Sequence, residues 1–440
     1  MWLEVILIRI HTVVMVAVAV IVLADVTAHR EVAMVHHVAM VVVVVIVLVD
    51  ATAHLLEVFN ILGGGYTIAL LRLILYESMR TKKFHLSLIL TNQCNLSCVY
   101  CYESNKTKKR MDVNVCKDII AKHLNMTEYD EVEIDFFGGE PFLEFPTIKE
   151  VCEWVWSNNW RNKYVFFATT NGVLITGKIK DWLKKHKDRF WVSLSLDGKR
   201  DSHNLNRSNS FDKIDINFFK ECWPEQTVKM TISKETVGSI YENITFIHSL
   251  GYNIAGTNFA EGIDWGDKKY VEIVANELEK LVQFYIAHPE IKPVPLINMA
   301  IHKCEDSKQH IKWCGCGEHM AAYETDGTKC PCTFITPMTF NEETLSSIKC
   351  IDFSKQDLFT DEKCFNNCYL NPICTSCYGA NLLSNGQINI RDKSRCELMK
   401  VRAVFSAALR LNMILKNPQD TPENRKAIIA IKRINELYNK

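Results

Sequence analysis

Residues Leu90 to Tyr102 read LTNQCNLSCVYCY and carry Cys94, Cys98 and Cys101 at the spacing C-x3-C-x2-C. The mostly apolar run Phe84–Leu90 leads into them and a polar, basic stretch follows. Three thiolates in so short a loop can converge on one metal centre, yet they leave a four-site centre one ligand short. Iron–sulfur clusters held by cysteine normally take four such ligands. The missing one leaves an iron open to a substrate or cofactor, which makes the loop a reaction site. Zinc sites and disulfide frameworks use closed cysteine sets, usually pairs at C-x2-C, and fit the loop poorly.

Composition supports a cluster protein. The chain has 17 cysteines in 440 residues, with no even, regular framework. Such usage points to metal clusters in a reducing compartment, so a cytoplasmic location is expected. The length allows two or three domains. Lys and Arg total 51, as do Asp and Glu. That balance gives no argument for nucleic acid as a partner, and none is expected.

Residues 1–80 read as a hydrophobic, Val-rich N-terminal extension of unassigned role. The phrase VIVLADVTAH at Val20–His29 returns as VIVLVDATAH at Val45–His54. Two copies are too few for a solenoid. Both apolar blocks fall short of the roughly 18–20 residues a membrane-spanning helix needs. The first block, after Arg9, has the look of a signal-peptide core. Export is rejected, because the rest of the chain is built for oxygen-sensitive clusters. A membrane-surface anchor through residues 1–60, an accessory strand pair and a segment foreign to the core all stay open.

From Thr81 the pattern alternates strand and helix. Strands are expected at Phe84–Leu90, Glu131–Phe137, Tyr164–Ala168, Phe190–Leu196, Thr227–Ile232 and Ile254–Phe259. Helices are expected at Val113–Leu124, from Pro146, and at Lys178–Lys187, Phe211–Cys222 and Ile240–Leu250. Six strands alternating with helices mean βα units and a parallel sheet, with the chemistry where strands end. The fold class is therefore α/β, a partial (β/α)6 TIM-like barrel over 81–265. A helical connector follows over 266–300, then a small Cys-rich α+β domain over 301–400 and closing helices over 401–440.

Candidate motifs fall at successive strand ends. Gly138-Gly139-Glu140-Pro141 follows the second strand, Thr170-Asn171-Gly172 the third, and Ser195-Leu196-Asp197-Gly198 the fourth. Two glycines let backbone approach a ligand closely, and a carboxylate accepts from an ammonium group. Singly these are common turns.

With Tyr100 and Tyr102 beside the last cysteine, the set over Lys82–Phe259 resembles the radical S-adenosylmethionine (radical SAM) barrel. The resemblance implies a [4Fe–4S] cluster on Cys94, Cys98 and Cys101, its open iron chelated by SAM. Gly139 and Glu140 would face the SAM amino group, Gly138 beside them would belong to the same cofactor site, and Ser195 would lie near the carboxylate or ribose. Asn171 and Tyr100 would shape the pocket, and Arg207 would pair with the carboxylate. The run from Ser195 to Gly198, then His203 and Arg207, resembles peptide- and sulfatase-maturing members, although Asn204 stands where Asp is usual.

A second cysteine field follows. Cys314, Gly327 and Cys332 give C-x12-G-x4-C; Cys364, Cys368, Cys374 and Cys377 give C-x3-C-x5-C-x2-C; Cys396 is last. This resembles the SPASM extension, with the outer spacings of the cysteine quartet swapped. The family's crossed arrangement implies one auxiliary cluster on Cys314, Cys332 and Cys377, with Cys304, Cys316 or Cys330 as the fourth ligand. It implies a second on Cys364, Cys368, Cys374 and Cys396. Cys116, Cys152 and Cys222 lie in helical patterns and read as small buried hydrophobes.

The activity implied is reductive cleavage of SAM to a 5′-deoxyadenosyl radical that abstracts hydrogen from a substrate. The expected substrate is a ribosomally made peptide or protein, matured by a cross-link or an oxidation. An external one-electron donor of flavodoxin or ferredoxin type is expected too. Thr333 replaces the basic Asp of sulfatase-maturing relatives, which disfavours formylglycine formation; Glu261 and Asp264 are alternative proton acceptors. No peptide-binding winged helix is recognisable ahead of the barrel. The rival readings are a radical SAM enzyme acting on a small molecule or nucleotide, and a zinc-stabilised binding module without catalysis.

Overall fold

The computed structural model describes residues 81–310 and 312–438. The Val-rich segment 1–80, with its repeat and its membrane reading, lies outside the described residues. Among the described residues no helix is long and apolar enough to cross a membrane.

Six parallel strands form the barrel wall: β1 (Lys83–Thr91), β2 (Glu131–Gly138), β3 (Lys163–Thr170), β4 (Phe190–Leu194), β5 (Val228–Ile232) and β6 (Ile254–Phe259). β1 to β4 pair in sequence and β5 pairs with β6; an isolated bridge, Ser195 to Lys229, joins the two groups. The architecture is thus a partial, open (β/α) barrel.

Alternation sets which side chains face the helices. On β2, Val132, Ile134 and Phe136 are fully buried, whereas Glu133, Asp135 and Phe137 point the other way. Phe136, Phe166 and Phe190 stack across three strands with ring centroids 5.6 and 6.2 Å apart. Helix α1 (Val113–Leu124) and α2 (Phe145–Trp156) cover this face through Cys116, Ile120, Val151 and Cys152. Cys116 and Cys152 are fully buried there and Cys222 nearly so, as small hydrophobes.

One expected helix differs in detail, and one more appears. Phe211–Cys222 is not continuous: a 3-10 turn at Phe211–Lys213 is followed by extended Ile214, and the helix proper, α5 (Ile216–Cys222), begins only after it. Asp215 accepts from Phe218 N at 3.2 Å and caps that new start. A helix that was not expected, α4 (Arg200–Asn206), follows the Asp197-Gly198 turn. Further helices are α3 (Gly177–Lys185), α6 (Ile240–Ser249) and α7 (Lys268–Ala287); Asp267 and His288 flank α7 as its caps.

The sheet also runs past residue 265. A strand of the Cys-rich region, β7 (Met320–Tyr323), pairs parallel with the free edge of β1, and β8 (Lys329–Cys330) closes that side. An uncovered β1 edge would present unpaired N–H and C=O groups, so β7 caps it. Beyond it come α8 (Glu342–Ser347), α9 (Glu362–Asn367) and α10 (Tyr378–Asn385). The two long helices α11 (Cys396–Lys416) and α12 (Pro422–Tyr438) close the chain. α11 packs on both α7 and α12.

Candidate functional site

The cysteine loop leaves the C-terminal end of β1 and is held by its neighbours' backbones. Thr91 O accepts from Gly139 N at 3.1 Å, and Gln93 O accepts from Glu140 N at 2.9 Å. A Cβ on Gly138 or Gly139 would sit 2.3 Å from Thr91 O or Gln93 O. The two glycines therefore make room for the cysteine loop itself, before any ligand arrives. On the far side Val99 N donates to Asn206 O at 3.0 Å, and Ser97 N to Ser208 Oγ at 2.9 Å. Ser208 and Asn209 hold φ of 54° and 52°, a region non-glycine residues seldom adopt.

Cys94, Cys98 and Cys101 line one cavity of about 290 Å³ with Tyr100, Gly138, Gly139, Glu140, Asn171, Ser195 and Arg207. The structure thus brings every residue expected at this site to a single hollow. Burial pushes the Cys98 thiol up, and Cys94 up to about 11. A metal binding here must displace protons from both.

Two residues of the hollow are also tied to the protein around it. Glu140 is buried and both its oxygens are engaged. Oε1 accepts from Thr170 Oγ1 at 2.8 Å and Phe142 N at 3.2 Å, and Oε2 accepts from Asn171 N at 2.9 Å. Burial pushes its carboxyl up to about 7. It ties the second strand end to the third, and only lone pairs left over from those bonds face the cavity.

Arg207 is the second such residue. It is buried, and its guanidinium pairs with Asp197: Nε to Oδ2 is 2.8 Å and Nη2 to Oδ1 is 3.3 Å. Asp197, which carried no separate role in the sequence reading, is the hub here. Tyr100 OH donates to it at 2.6 Å, Asn206 Nδ2 at 3.1 Å and Thr231 N at 3.0 Å. Its signal was present in the Ser-Leu-Asp-Gly turn. The remaining cation on the cavity wall is Lys106, whose ammonium reaches Cys101. Its only trace in the sequence is the basic stretch after the motif.

The second cysteine field separates into two groups. Cys316 hydrogen-bonds to Cys314 and Cys332; the shared protons push the Cys316 thiol up and hold its two neighbours down. Backbone N–H groups of Phe334 and Ile335 also favour the Cys332 thiolate. Cys377, pushed up to about 12 by burial, feels Cys332 and Cys314. In the other group Cys396 lies near Cys374, Cys364 and Cys368 around a cavity of about 410 Å³. The x3 spacing has a helical reason: Cys364 on α9 and Cys368 at its C-cap are four apart, hence on one face. Cys377 instead heads α10, which turns it toward the first group.

Of the spare thiols, Cys304 packs with Ile301, Leu370 and Ile373, and Cys330 with Ile89, Ala322 and Met338. Cys330 also feels Cys332, but of the three it is Cys316 that hydrogen-bonds to Cys314 and Cys332 and packs with Cys377. Among the described residues no three His, Cys, Asp or Glu side chains close on a single metal ion. A four-iron cube holds its ligands farther apart than one ion does, so the thiol groups retain the donor set a cluster needs.

A partial parallel barrel with an open three-cysteine loop at its mouth defines a radical SAM domain. The model of the Radical SAM superfamily matches residues 88–218, and the chain carries that domain. Among its relatives is the radical SAM cyclopropyl synthase TigE of Paramaledivibacter caminithermalis. It is 24% identical over 351 residues, 72% of each chain. The cysteine-type anaerobic sulfatase-maturating enzyme of Clostridium perfringens (strain 13) is 29% identical over 169 residues, 34% of this chain and 44% of that one. The chain spans between 38 and 72% of the length of the first three curated relatives it matches. The solved structure of native anSMEcpe with bound AdoMet superposes with a TM-score of 0.59 at 18% identity, covering 76% of this chain and 99% of that one. It carries the same fold.

Proposed function

We propose that the chain is a radical SAM enzyme that matures a ribosomally made peptide or protein by a cross-link or an oxidation. The observation that carries this reading is the cavity at the barrel mouth. There three thiols, with no fourth cysteine beside them, share a wall with Asn171, Ser195 and Lys106. Cys94, Cys98 and Cys101 would hold a [4Fe–4S] cluster and leave one iron for SAM. When bound, the reduced cluster and SAM supply a 5′-deoxyadenosyl radical able to take hydrogen from an unactivated C–H bond.

The residues of the chain do the positioning. Tyr100 and Arg207, locked on Asp197, fix the loop that carries Cys98 and Cys101. Glu140 fixes the turn that carries Asn171. Lys106, whose ammonium reaches Cys101, offers a second cation beside Arg207 for the SAM carboxylate. Asn258, Phe259 and Glu261, at the end of β6, line both this cavity and that of the second thiol group. A substrate at that junction would lie between the two centres. Cys314, Cys316, Cys332 and Cys377 would hold the first auxiliary cluster; Cys364, Cys368, Cys374 and Cys396 would hold the second. A protein substrate is supported by the sulfatase-maturating relative. An external flavodoxin- or ferredoxin-type protein would deliver the electron.

The deciding assay is anaerobic, dithionite-reduced protein with SAM, read for 5′-deoxyadenosine. Product is expected from the wild type and not from Cys98→Ala. Product that persists in Cys98→Ala overturns the assignment. Mass spectrometry of short peptides encoded beside the gene then tests the substrate class. No mass change in any of them, with SAM cleavage intact, turns the reading toward a small molecule.

A further inference from the structure

The two auxiliary thiol groups stand in different electrostatic surroundings. At the second group Lys393 Nζ donates to Cys364 Sγ at 2.9 Å, and Asp361 holds the ammonium there through Oδ2 at 2.6 Å. Asp361 also accepts from Cys364 N and from Arg391 N, at 3.1 Å each. The Arg391 guanidinium hydrogen-bonds to Cys374. Arg402 lines the same cavity as Cys374, and its donors reach Leu296 O, Pro295 O and Met399 Sδ. Among the described residues neither guanidinium has a carboxylate partner. A half-buried cation without a counter-ion is costly, and an anionic centre on the four thiolates is the charge that would answer both.

The first group lacks this shell. Its nearby cation, Lys312, is paired with Glu318 at 3.1 Å, and the Glu261 carboxylate that faces Cys377 is itself paired with Arg395, so among the described residues each nearby cation here has a carboxylate partner. Net charge and hydrogen bonds to sulfur set cluster potentials. Reduction adds one negative charge, which neighbouring cations and N–H···S bonds stabilise.

We propose that Lys393, Arg391 and Arg402 form a cationic cage that raises the reduction potential of the second auxiliary centre above that of the first. The three are positioning residues, and the inference rests on the reading of both groups as [4Fe–4S] sites. The test is an EPR-monitored potentiometric titration of the anaerobically reconstituted full chain, with iron and zinc analysis. Cys364→Ala identifies the signal of the second centre. In the wild type that signal is expected at a higher potential than the first auxiliary signal. Lys393→Met and Arg402→Met should each shift it to lower potential and leave the other signals in place, whereas Lys393→Arg should keep it near the wild-type value. If Lys393→Met loses iron, Arg402→Met, which leaves the bond to Cys364 intact, decides. An unmoved potential at full iron content, or a second centre below the first in the wild type, overturns the cage alone. Zinc in place of iron overturns the cage and the cluster reading together.

Discussion

Asp197 and Arg207 form a buried ion pair beneath the cysteine loop: the Asp197 side chain is wholly inaccessible and that of Arg207 is 9% exposed. The Arg207 guanidinium also lies 5.3 Å from the Tyr100 ring, between two of the cysteines. Removing one partner of such a pair leaves an uncompensated buried charge, which costs about 3–5 kcal/mol. Asp197→Asn should destabilise the fold by that order in anaerobic denaturant titrations. It should also lower iron uptake at the barrel mouth, since Tyr100 and Asn206 lose the same acceptor. Wild-type stability with full iron would show that the pair does not hold the loop.

His203 supplies a pH signature. It is fully buried on α4, accepts from Asp197 N at 3.4 Å and bonds Ser210 Oγ through Nε2 at 3.0 Å. Burial holds its imidazole down to about 4, from an ordinary 6.5. The unfolded chain therefore binds the proton first. This group's contribution is complete above pH 6.5 and is lost as pH falls toward 4, about 3 kcal/mol across the window. His203→Gln, which cannot titrate, should remove that component. Parallel acid limbs for the two proteins would show that His203 does not stay neutral.

Much of the barrel was legible because hydrophobic period and strand length are local properties. The expected strand Ile254–Phe259 and helix Val113–Leu124 have the bounds observed. The break at Ile214 was hidden, since Phe211 to Cys222 keeps helical spacing while Asp215 can start a new cap inside it. The pairing of β7 with β1 was hidden for another reason. A four-residue strand gains its meaning from an edge more than two hundred positions away. At the site, motifs revealed which residues meet. They could not reveal that Arg207 pairs with Asp197, because ion-pair partners are a property of packing.

Gly139 tests the crowding between the second strand end and the loop. A methyl group there would meet Gln93 O at 2.3 Å and Cys94 N at 2.9 Å, both backbone atoms. Neither can swing aside as a flexible side chain would. Gly139→Ala should leave the circular dichroism of the barrel unchanged but displace Cys94, with a loss of tenfold or more in SAM affinity by equilibrium dialysis. Unchanged affinity would mean that the loop shifts freely.

Lys106 is expected to bind the SAM carboxylate. A charge-assisted bond of about 1.4 kcal/mol corresponds to a tenfold change in affinity. Lys106→Ala should raise the dissociation constant for SAM by roughly that factor, and Lys106→Arg should restore most of it. S-adenosylmethioninamide, which lacks the carboxylate charge, should bind wild type and Lys106→Ala alike. Equal loss for both ligands would place Lys106 in a purely structural role beside Cys101.

The fourth ligand of the first auxiliary centre separates by burial partner. Cys330 is buried like Cys316, and sequence spacing treats the two as equals. Yet Cys330 faces Ile89, Ala322 and Met338, an apolar layer under β1, while Cys316 bonds to two of the cysteines already assigned. A sulfur turned into an apolar layer cannot reach iron without opening that layer. With three [4Fe–4S] centres the wild type should carry about twelve irons. Cys316→Ala should fall toward about eight and lose one auxiliary EPR signal. Cys330→Ala should keep its iron and lose only packing, about 1 kcal/mol for the removed sulfur. The reverse pattern would move the ligand to the β8 side of the loop and turn the Cys314–Cys316 bond into an ordinary contact between thiols.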